Sequence, residues 1–242
     1  GLSKLLMNKI IHFDFKGENI IFNKRLNIPI IIDFGLSIPL SLVKKRKKEY
    51  FYTYAPSYYY WPLEVHFMNY ILHVNKNPTK ADVEKISKEY VYGNTVLHTV
   101  FSKSFIKKYE ALCISTLERL LLYKDVEDRI IEMAHTWDNY SLSIVYLKYI
   151  YYFNVKGFIK NNFIIFFSQL LSQNIHPNYE KRHTIKDTKQ LFKEFWYDET
   201  IHNTSNFLDI LSNIQQTVED IRDIVHKDIE AGDQIKQLIT VS

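Results

Sequence analysis

Apolar and polar residues alternate along this chain in two different ways. Near its beginning, short apolar runs at 19–22 and 29–34 flank the polar stretch "NKRLN", a pattern that predicts a β-hairpin. Beyond Pro62 the apolar residues recur at spacings of three and four, which is typical of amphipathic helices. The clearest of these stretches are 79–91, 105–123 and 126–137. We therefore predict a mainly α protein with one small β-hairpin.

The last stretch of the chain, 205–239, carries one apolar stripe along a predicted helix. Its members alternate at spacings of three and four: Leu208, Leu211, Ile214, Val218, Ile221 and Val225. The pattern weakens after Val225, which favours packing on the protein body over a coiled coil. Two other apolar segments, 142–153 and 163–171, are too short to span a bilayer and are expected to be buried helices.

Composition narrows the class of protein. The chain has 242 residues and a single cysteine, Cys113, so it has no disulfide framework and fits a reducing, intracellular setting. Its net charge of +4 is mild and does not favour a nucleic-acid partner. The first residues carry Lys4 and Lys9 without a long apolar run, so no signal peptide is predicted. We expect an intracellular, cytoplasmic protein with no membrane span.

The stretch "HFDFKGENIIFNKRLNIPIIIDFG", residues 12–35, holds the candidate chemistry. Phosphoryl transfer from ATP requires a metal on the phosphates, a carboxylate that orients the attacking hydroxyl, and a neutralising cation. Asp14, Lys16 and Asn19 are a candidate base, cation and magnesium ligand. The hairpin would return Asp33, a second hard oxygen ligand, to the same place. Gly35 would then permit the backbone angles of a chain reversal.

The segment "HFDFKGEN" resembles the catalytic loop of eukaryotic-type protein kinases, and the later "DFG" resembles their metal-binding motif. Either motif alone is a weak signal, whereas the two together across a predicted hairpin are strong. The resemblance implies a serine/threonine protein kinase that transfers the γ-phosphoryl group of Mg-ATP to protein substrates. It implies Asp14 as catalytic base, Lys16 as γ-phosphate ligand, and Asn19 with Asp33 as Mg²⁺ ligands. His12 is expected to be a packed structural residue.

Later motifs follow in the order of the same family. "WPLE" resembles the end of a kinase activation segment, where Glu64 is implied to form a buried ion pair with Arg182. Ser57, seven residues before Glu64, matches the residue that hydrogen-bonds the catalytic base and lysine. Asp138, in "TWDNYSLSIVYL", matches the acid that holds the catalytic-loop backbone. Residues 1–198 are accordingly assigned to a kinase C-terminal lobe, followed by a helical extension at 199–242.

Two features depart from the family pattern. Phe13 replaces the arginine that receives an activation-loop phosphate, which puts control by loop phosphorylation in doubt. The alternative is aromatic packing of the tyrosine-rich segment, "YFYTYAPSYYYW" at 50–61. Between Glu64 and Asp138 lie 73 residues, far more than the family usually has, which predicts a helical insertion at about 66–134. With "WPLE", this insertion resembles the serine/threonine kinases of large DNA viruses, which implies a virus-infected host cell or a virion as the location.

The 242 residues contain no glycine-rich phosphate loop and no Val-Ala-Ile-Lys strand. We expect an N-lobe, supplied by upstream sequence, to hold most of the ATP, so residues 1–242 alone should have little or no activity. The rival interpretation is a non-catalytic, pseudokinase-like or truncated scaffold whose insertion offers binding surface. The basic cluster at 44–48 fits a solvated loop, recognition of acidic substrates or nuclear localisation.

Overall fold

The computed structural model describes residues 1–155 and 162–197 of the chain. This part is mainly helical, with few strands, which confirms the predicted mainly α class. The predicted helix at 205–239, and the extension at 199–242 that contains it, lie outside the described residues. The candidate catalytic residues and the predicted insertion all lie within them.

Two small antiparallel sheets form near the start of the chain. The elements are α1 (Leu2–Met7), β1 (Ile10–Ile11), β2 (Ile20–Asn23), β3 (Ile28–Ile31) and β4 (Ile38–Pro39). β2 and β3 form the predicted hairpin, in which Ile20 lies opposite Ile31. A 3₁₀ turn at Gly17–Asn19 leads into β2. β1 pairs with β4, and this pairing, which the hydrophobic pattern did not predict, brings Ile11 beside Ile38.

Helices make up most of the described structure after β4. They are α2 (Leu40–Val43), α3 (Lys47–Tyr50), α4 (Leu63–His73), α5 (Lys80–Gly93), α6 (Thr95–Val100), α7 (Lys103–Leu120), α8 (Val126–Glu132), α9 (Trp137–Val155), α10 (Asn162–Asn174) and α11 (Ile185–Tyr197). α5 begins with a capping box, in which the Asp82 amide donates to the Thr79 hydroxyl and the Thr79 amide donates to the Asp82 carboxylate.

Helix α9 lies at the centre of the core and packs against α6 and α10. Its buried face carries Trp137, Tyr140, Ile144 and Leu147, each at most 1% exposed. The helices of the predicted insertion contribute to the same core, because Val83, Ile86, Leu117 and Leu120 belong to this one hydrophobic cluster. The insertion is therefore packed into the body of the protein and is not a separate appendage.

The basic cluster at 44–48 is partly held by α8. Lys47 donates to Glu127 at 2.7 Å, and Lys44 donates to Asp128 at 3.0 Å. These two lysines therefore tie the segment after β4 to the insertion, which a freely solvated loop would not do. Among the helices of the described residues, none combines the length and the apolarity that crossing a membrane requires.

Candidate active site

The candidate loop, residues 12–19, is held in place by one buried carboxylate. Asp138, in the first turn of α9, accepts the backbone N–H of His12 at 2.7 Å and that of Phe13 at 3.0 Å. Phe13 has a φ of 67°, in the left-handed region that costs an L-residue free energy. The two bonds hold this unfavourable backbone. Burial raises the pKa of Asp138, although the two N–H donors oppose the rise by favouring the carboxylate.

Asp14 lies at the centre of a hydrogen-bonded group formed by the loop itself. Lys16 Nζ donates to both carboxylate oxygens of Asp14, at 2.9 Å and 3.1 Å. Asn19 Nδ2 donates to the Asp14 carboxylate at 2.9 Å and to its backbone carbonyl at 2.8 Å. Asp14 and Asn19 are each 5% exposed. The three residues assigned from the sequence as base, cation and metal ligand are therefore in direct contact.

The residue that reaches Asp14 from the tyrosine-rich segment is Tyr58, and not Ser57 as the sequence implied. The Tyr58 hydroxyl donates to Asp14 Oδ1, whereas Ser57 is exposed and its hydroxyl bonds to no described residue. A phenol reaches several ångströms further from its backbone than a serine hydroxyl does, so Tyr58, the next residue along, makes a contact with Asp14 like the one assigned to Ser57 from the sequence. Burial, and then the charge of Asp14, raises the pKa of Tyr58, which keeps its hydroxyl a donor.

The hairpin returns Asp33 to the neighbourhood of the loop. The Ile32 amide donates to the Asn19 carbonyl at 3.0 Å, so the residue before Asp33 is bonded directly to Asn19. His12, fully buried, donates from Nε2 to the Ile32 carbonyl at 2.9 Å, and its ring lies 5.1 Å from that of Phe34. His12 is thus a packed structural residue that joins the loop to the strand carrying Asp33.

The chain reversal at this strand is made by Asp33 and not by Gly35. Asp33 has a φ of 59°, and its Oδ1 accepts the Gly35 amide at 3.3 Å, a local bond that Asp tolerates in the left-handed region. Gly35 has no such backbone requirement; a Cβ there would lie 3.3 Å from Asp33 Oδ1. Gly35 therefore leaves room for the Asp33 carboxylate, which differs from the role that its sequence position suggested.

Asn19 and Asp33 fit a magnesium site by their chemistry. Asn19 uses its Nδ2 on Asp14, and its Oδ1 bonds to no other described residue. Asp33 is exposed and offers hard carboxylate oxygen. Residues 1–155 and 162–197 contain no group of three or more His, Cys, Asp or Glu side chains that could hold a metal without further ligands. Magnesium is commonly held by one or two protein oxygens, with water and substrate phosphate completing its octahedron.

Phe13, at the position where the kinase resemblance would place an arginine, is surrounded by aromatic rings. Its ring stacks on Trp61 with centroids 4.9 Å apart, and it meets Phe51 edge-on at 5.8 Å and Trp137 at 5.7 Å. The Trp61 indole N–H also donates to the Phe13 carbonyl at 2.8 Å. These contacts join the loop, both ends of the tyrosine-rich segment and α9 into one cluster. The tyrosine-rich segment is thus packed around Phe13, as expected if aromatic packing orders this segment.

The insertion holds the same segment from the other side. The Tyr54 hydroxyl donates to Glu89 on α5 at 2.6 Å, and His73 Nε2 donates to the Phe51 carbonyl at 2.5 Å. At the end of α5, a Cβ on Gly93 would lie only 2.9 Å from the Pro56 carbonyl oxygen. Sequence reasoning missed Glu89 and Tyr58. The run of tyrosines was visible in the sequence, but which of them faces α5 and which faces Asp14 depends on tertiary packing.

Glu64 and Arg182 form the buried ion pair that the resemblance implied. Arg182 Nη2 lies 2.5 Å from Glu64 Oε2, and both side chains are 1% exposed. The Trp137 indole N–H donates to the other Glu64 oxygen at 3.1 Å. The guanidinium also lies 5.6 Å from the centre of the Tyr140 ring. The end of the segment is therefore fixed to α9 and to the turn before α11.

Comparison of the chain with protein-family models, with curated proteins and with solved structures found no match.

Proposed function

We propose that this chain is the C-terminal lobe of a eukaryotic-type serine/threonine protein kinase, similar to those of large DNA viruses. The observation that carries the proposal is the carboxylate of Asp14, bonded to Lys16 and Asn19 in a loop that Asp138 anchors. A polar turn without a chemical role has no need for a buried carboxylate in contact with a lysine. It also has no need for a second aspartate, Asp33, exposed nearby. A phosphoryl-transfer site requires each of them.

Each residue of the site has a distinct role in the proposed reaction. Asp14 orients the hydroxyl of a protein serine or threonine and takes its proton as the hydroxyl attacks the γ-phosphorus of ATP. Lys16, whose Nζ lies 2.9 Å from Asp14, neutralises the charge that develops on the transferred group. Asn19 and Asp33 would hold magnesium, which would supply charge neutralisation on the phosphates. ADP leaves as the bond between the β-γ bridging oxygen and the γ-phosphorus breaks.

The proposal assigns most of the nucleotide binding to an N-lobe outside these residues. The 242 residues contain neither a glycine-rich loop nor the lysine strand that positions ATP in this family. Orientation of the reacting groups is worth about 7–11 kcal/mol, and loss of half of it would slow transfer by roughly three to four orders of magnitude. Residues 1–242 alone should therefore have little or no transfer activity.

The second candidate is a non-catalytic scaffold of the same fold. It is favoured by the absence of the phosphate loop and by the insertion, whose helices add surface. It is disfavoured by the complete set of Asp14, Lys16, Asn19 and Asp33, because a scaffold has no need for one candidate metal ligand, Asn19, bonded through its backbone to the residue that precedes a second one, Asp33.

Calorimetry on the full-length gene product that contains this chain separates the two functions. Titration with ATP should give binding that magnesium strengthens, and Asp33→Ala should remove the magnesium dependence. Asp128→Ala, an acidic residue on α8 away from the candidate loop, is the matched control and should bind as the unaltered protein does. Equal binding with and without magnesium would favour the scaffold.

A further inference from the structure

All the hydrogen-bond acceptor positions on the Asp14 carboxylate are already occupied by donors of the chain. A carboxylate offers about four lone-pair sites, two on each oxygen. Oδ2 accepts Lys16 at 2.9 Å and Asn19 at 2.9 Å, and Oδ1 accepts Lys16 at 3.1 Å and the Tyr58 hydroxyl. A substrate hydroxyl needs one of these sites to pass its proton to Asp14. One donor must therefore leave before the proposed reaction can begin.

Tyr58 is the donor that can leave at the lowest cost. Lys16 and Asn19 belong to the same short loop as Asp14, and Asn19 is also bonded to the Asp14 backbone carbonyl at 2.8 Å. Removing Lys16 would strip a cation from a largely buried carboxylate. Tyr58 is neutral and comes from a segment 44 positions further along the chain. It is also the donor whose chemistry, a side-chain hydroxyl, matches that of the substrate.

We propose, on the basis of the proposed kinase function, that Tyr58 occupies the substrate-hydroxyl position on Asp14 and that a protein substrate must displace it. The Tyr58 ring is held next to this position by Trp61, at 4.9 Å between centroids, and by Tyr60 at 5.8 Å. Substrate and Tyr58 hydroxyl therefore compete for one oxygen. Removing the hydroxyl while keeping the ring opens the position without disturbing the aromatic packing.

The contact itself is tested by NMR, without any need for activity. In the chain labelled with [¹³Cζ]tyrosine, the Tyr58 signal is assigned as the one missing from Tyr58→Phe. Asp14→Asn should move the Tyr58 signal at neutral pH, because the phenol loses its carboxylate acceptor, while the signal of Tyr54, which is bonded to Glu89, should stay unchanged. An unchanged Tyr58 signal in Asp14→Asn would overturn the proposal.

The competition is tested by transfer of ³²P from Mg-[γ-³²P]ATP to myelin basic protein, with the full-length gene product as enzyme. Tyr58→Phe should lower KM for the acceptor protein about three- to tenfold, the ordinary net contribution of one hydrogen bond, and leave kcat unchanged. Tyr52→Phe is the matched control, because its ring also lies against Trp61, and it should change neither constant.

The transfer assay distinguishes failure of the competition at Asp14 from failure of the proposed kinase function. A fall in kcat at constant KM for Tyr58→Phe would mean that Tyr58 positions Asp14, and would overturn the competition. Absence of transfer in every form would overturn the proposed function and the inference with it, even if the NMR spectra show the contact between Tyr58 and Asp14.

Discussion

Glu64 and Arg182 are 118 positions apart in the chain, yet their side chains meet at 2.5 Å in the core. Glu64 lies in the first turn of α4, where a negative charge is favoured by the helix dipole, and Arg182 closes the 3₁₀ turn before α11. Arg182 Nη1 also lies 3.4 Å from the Thr136 hydroxyl, just before α9. One ion pair thus connects the end of the tyrosine-rich segment to two distant parts of the helical body.

Breaking this pair should destabilise the protein strongly. Arg182→Met leaves the Glu64 carboxylate buried without its cation, and a broken buried pair typically costs about 3–5 kcal/mol. Urea unfolding measures the change. Arg46→Met removes an exposed arginine, paired with Glu49 at 3.5 Å, and should cost less than about 1 kcal/mol. Equal losses for the two variants would contradict the structural role given to Arg182.

Replacing Asp138 should loosen the candidate loop. Asp138→Asn puts an NH₂ group against one of the two backbone N–H groups that the carboxylate accepts, so one donor loses its partner. A buried unsatisfied donor costs about 1–3 kcal/mol. Hydrogen exchange should accelerate at the His12 and Phe13 amides. Asp125→Asn, exposed and without a side-chain capping bond, should leave both amides unchanged.

Acid should destabilise the protein through His66. This histidine is fully buried on α4, bonded through Nε2 to the Trp61 carbonyl at 3.2 Å, and burial lowers its pKa to about 4 from 6.5. The unfolded chain therefore binds a proton that the folded protein excludes between these pH values. The contribution of His66 to the free energy of unfolding is therefore fully present above about pH 6.5. It decreases by on the order of 3 kcal/mol as the pH drops towards 4.

Urea unfolding at pH 7 and at pH 4 measures the His66 contribution. His66→Gln should lose less free energy of unfolding between the two pH values than the unaltered protein does. His98→Gln, at an exposed position on α6, should retain the full loss. An identical pH dependence in His66→Gln would contradict this account.

Helix α5 approaches the tyrosine-rich segment so closely that Gly93→Ala should destabilise the protein, although helix propensity alone predicts that this substitution stabilises it. Alanine is favoured over glycine in helices by about 1 kcal/mol, so Gly93→Ala would stabilise an unobstructed helix. Here the new Cβ would lie 2.9 Å from the Pro56 carbonyl oxygen and 3.1 Å from the Ser57 Cα. We expect a loss of about 1–3 kcal/mol and faster amide exchange at 52–60. Glu84→Ala, exposed on the same helix, is the control; a stabilised Gly93→Ala would contradict the contact.

The sequence located those parts of the site that depend on short spacing. Asp14, Lys16 and Asn19 lie within six positions on one loop, so their contacts follow from local geometry. The hairpin could be predicted because short apolar, β-rich runs on either side of "NKRLN" indicate both strands and the turn. The pairing of Glu64 with Arg182 could not be found by spacing, and depended wholly on the resemblance to a known motif order.

The sequence misplaced the features that depend on packing between distant elements. Ser57 and Tyr58 are neighbours, and only the position of the segment against Trp61 and α5 decides which of them reaches Asp14. The left-handed backbone lies at Asp33 because its side chain can bond the Gly35 amide, although Gly35 is the residue a turn would normally use. Hydrophobic periodicity predicts neither the Tyr58 contact nor the left-handed backbone at Asp33.

The rate of ³²P transfer from Mg-[γ-³²P]ATP to myelin basic protein, compared between the full-length gene product and its Asp14→Asn variant, tests the central claim most directly. Asn has nearly the shape of Asp but cannot accept the hydroxyl proton, and loss of a general base costs about 10²- to 10⁴-fold. Glu84→Gln, exposed on α5, is the control for loss of one carboxylate. The account predicts a loss of this size in Asp14→Asn alone; transfer by Asp14→Asn at the unaltered rate would contradict it.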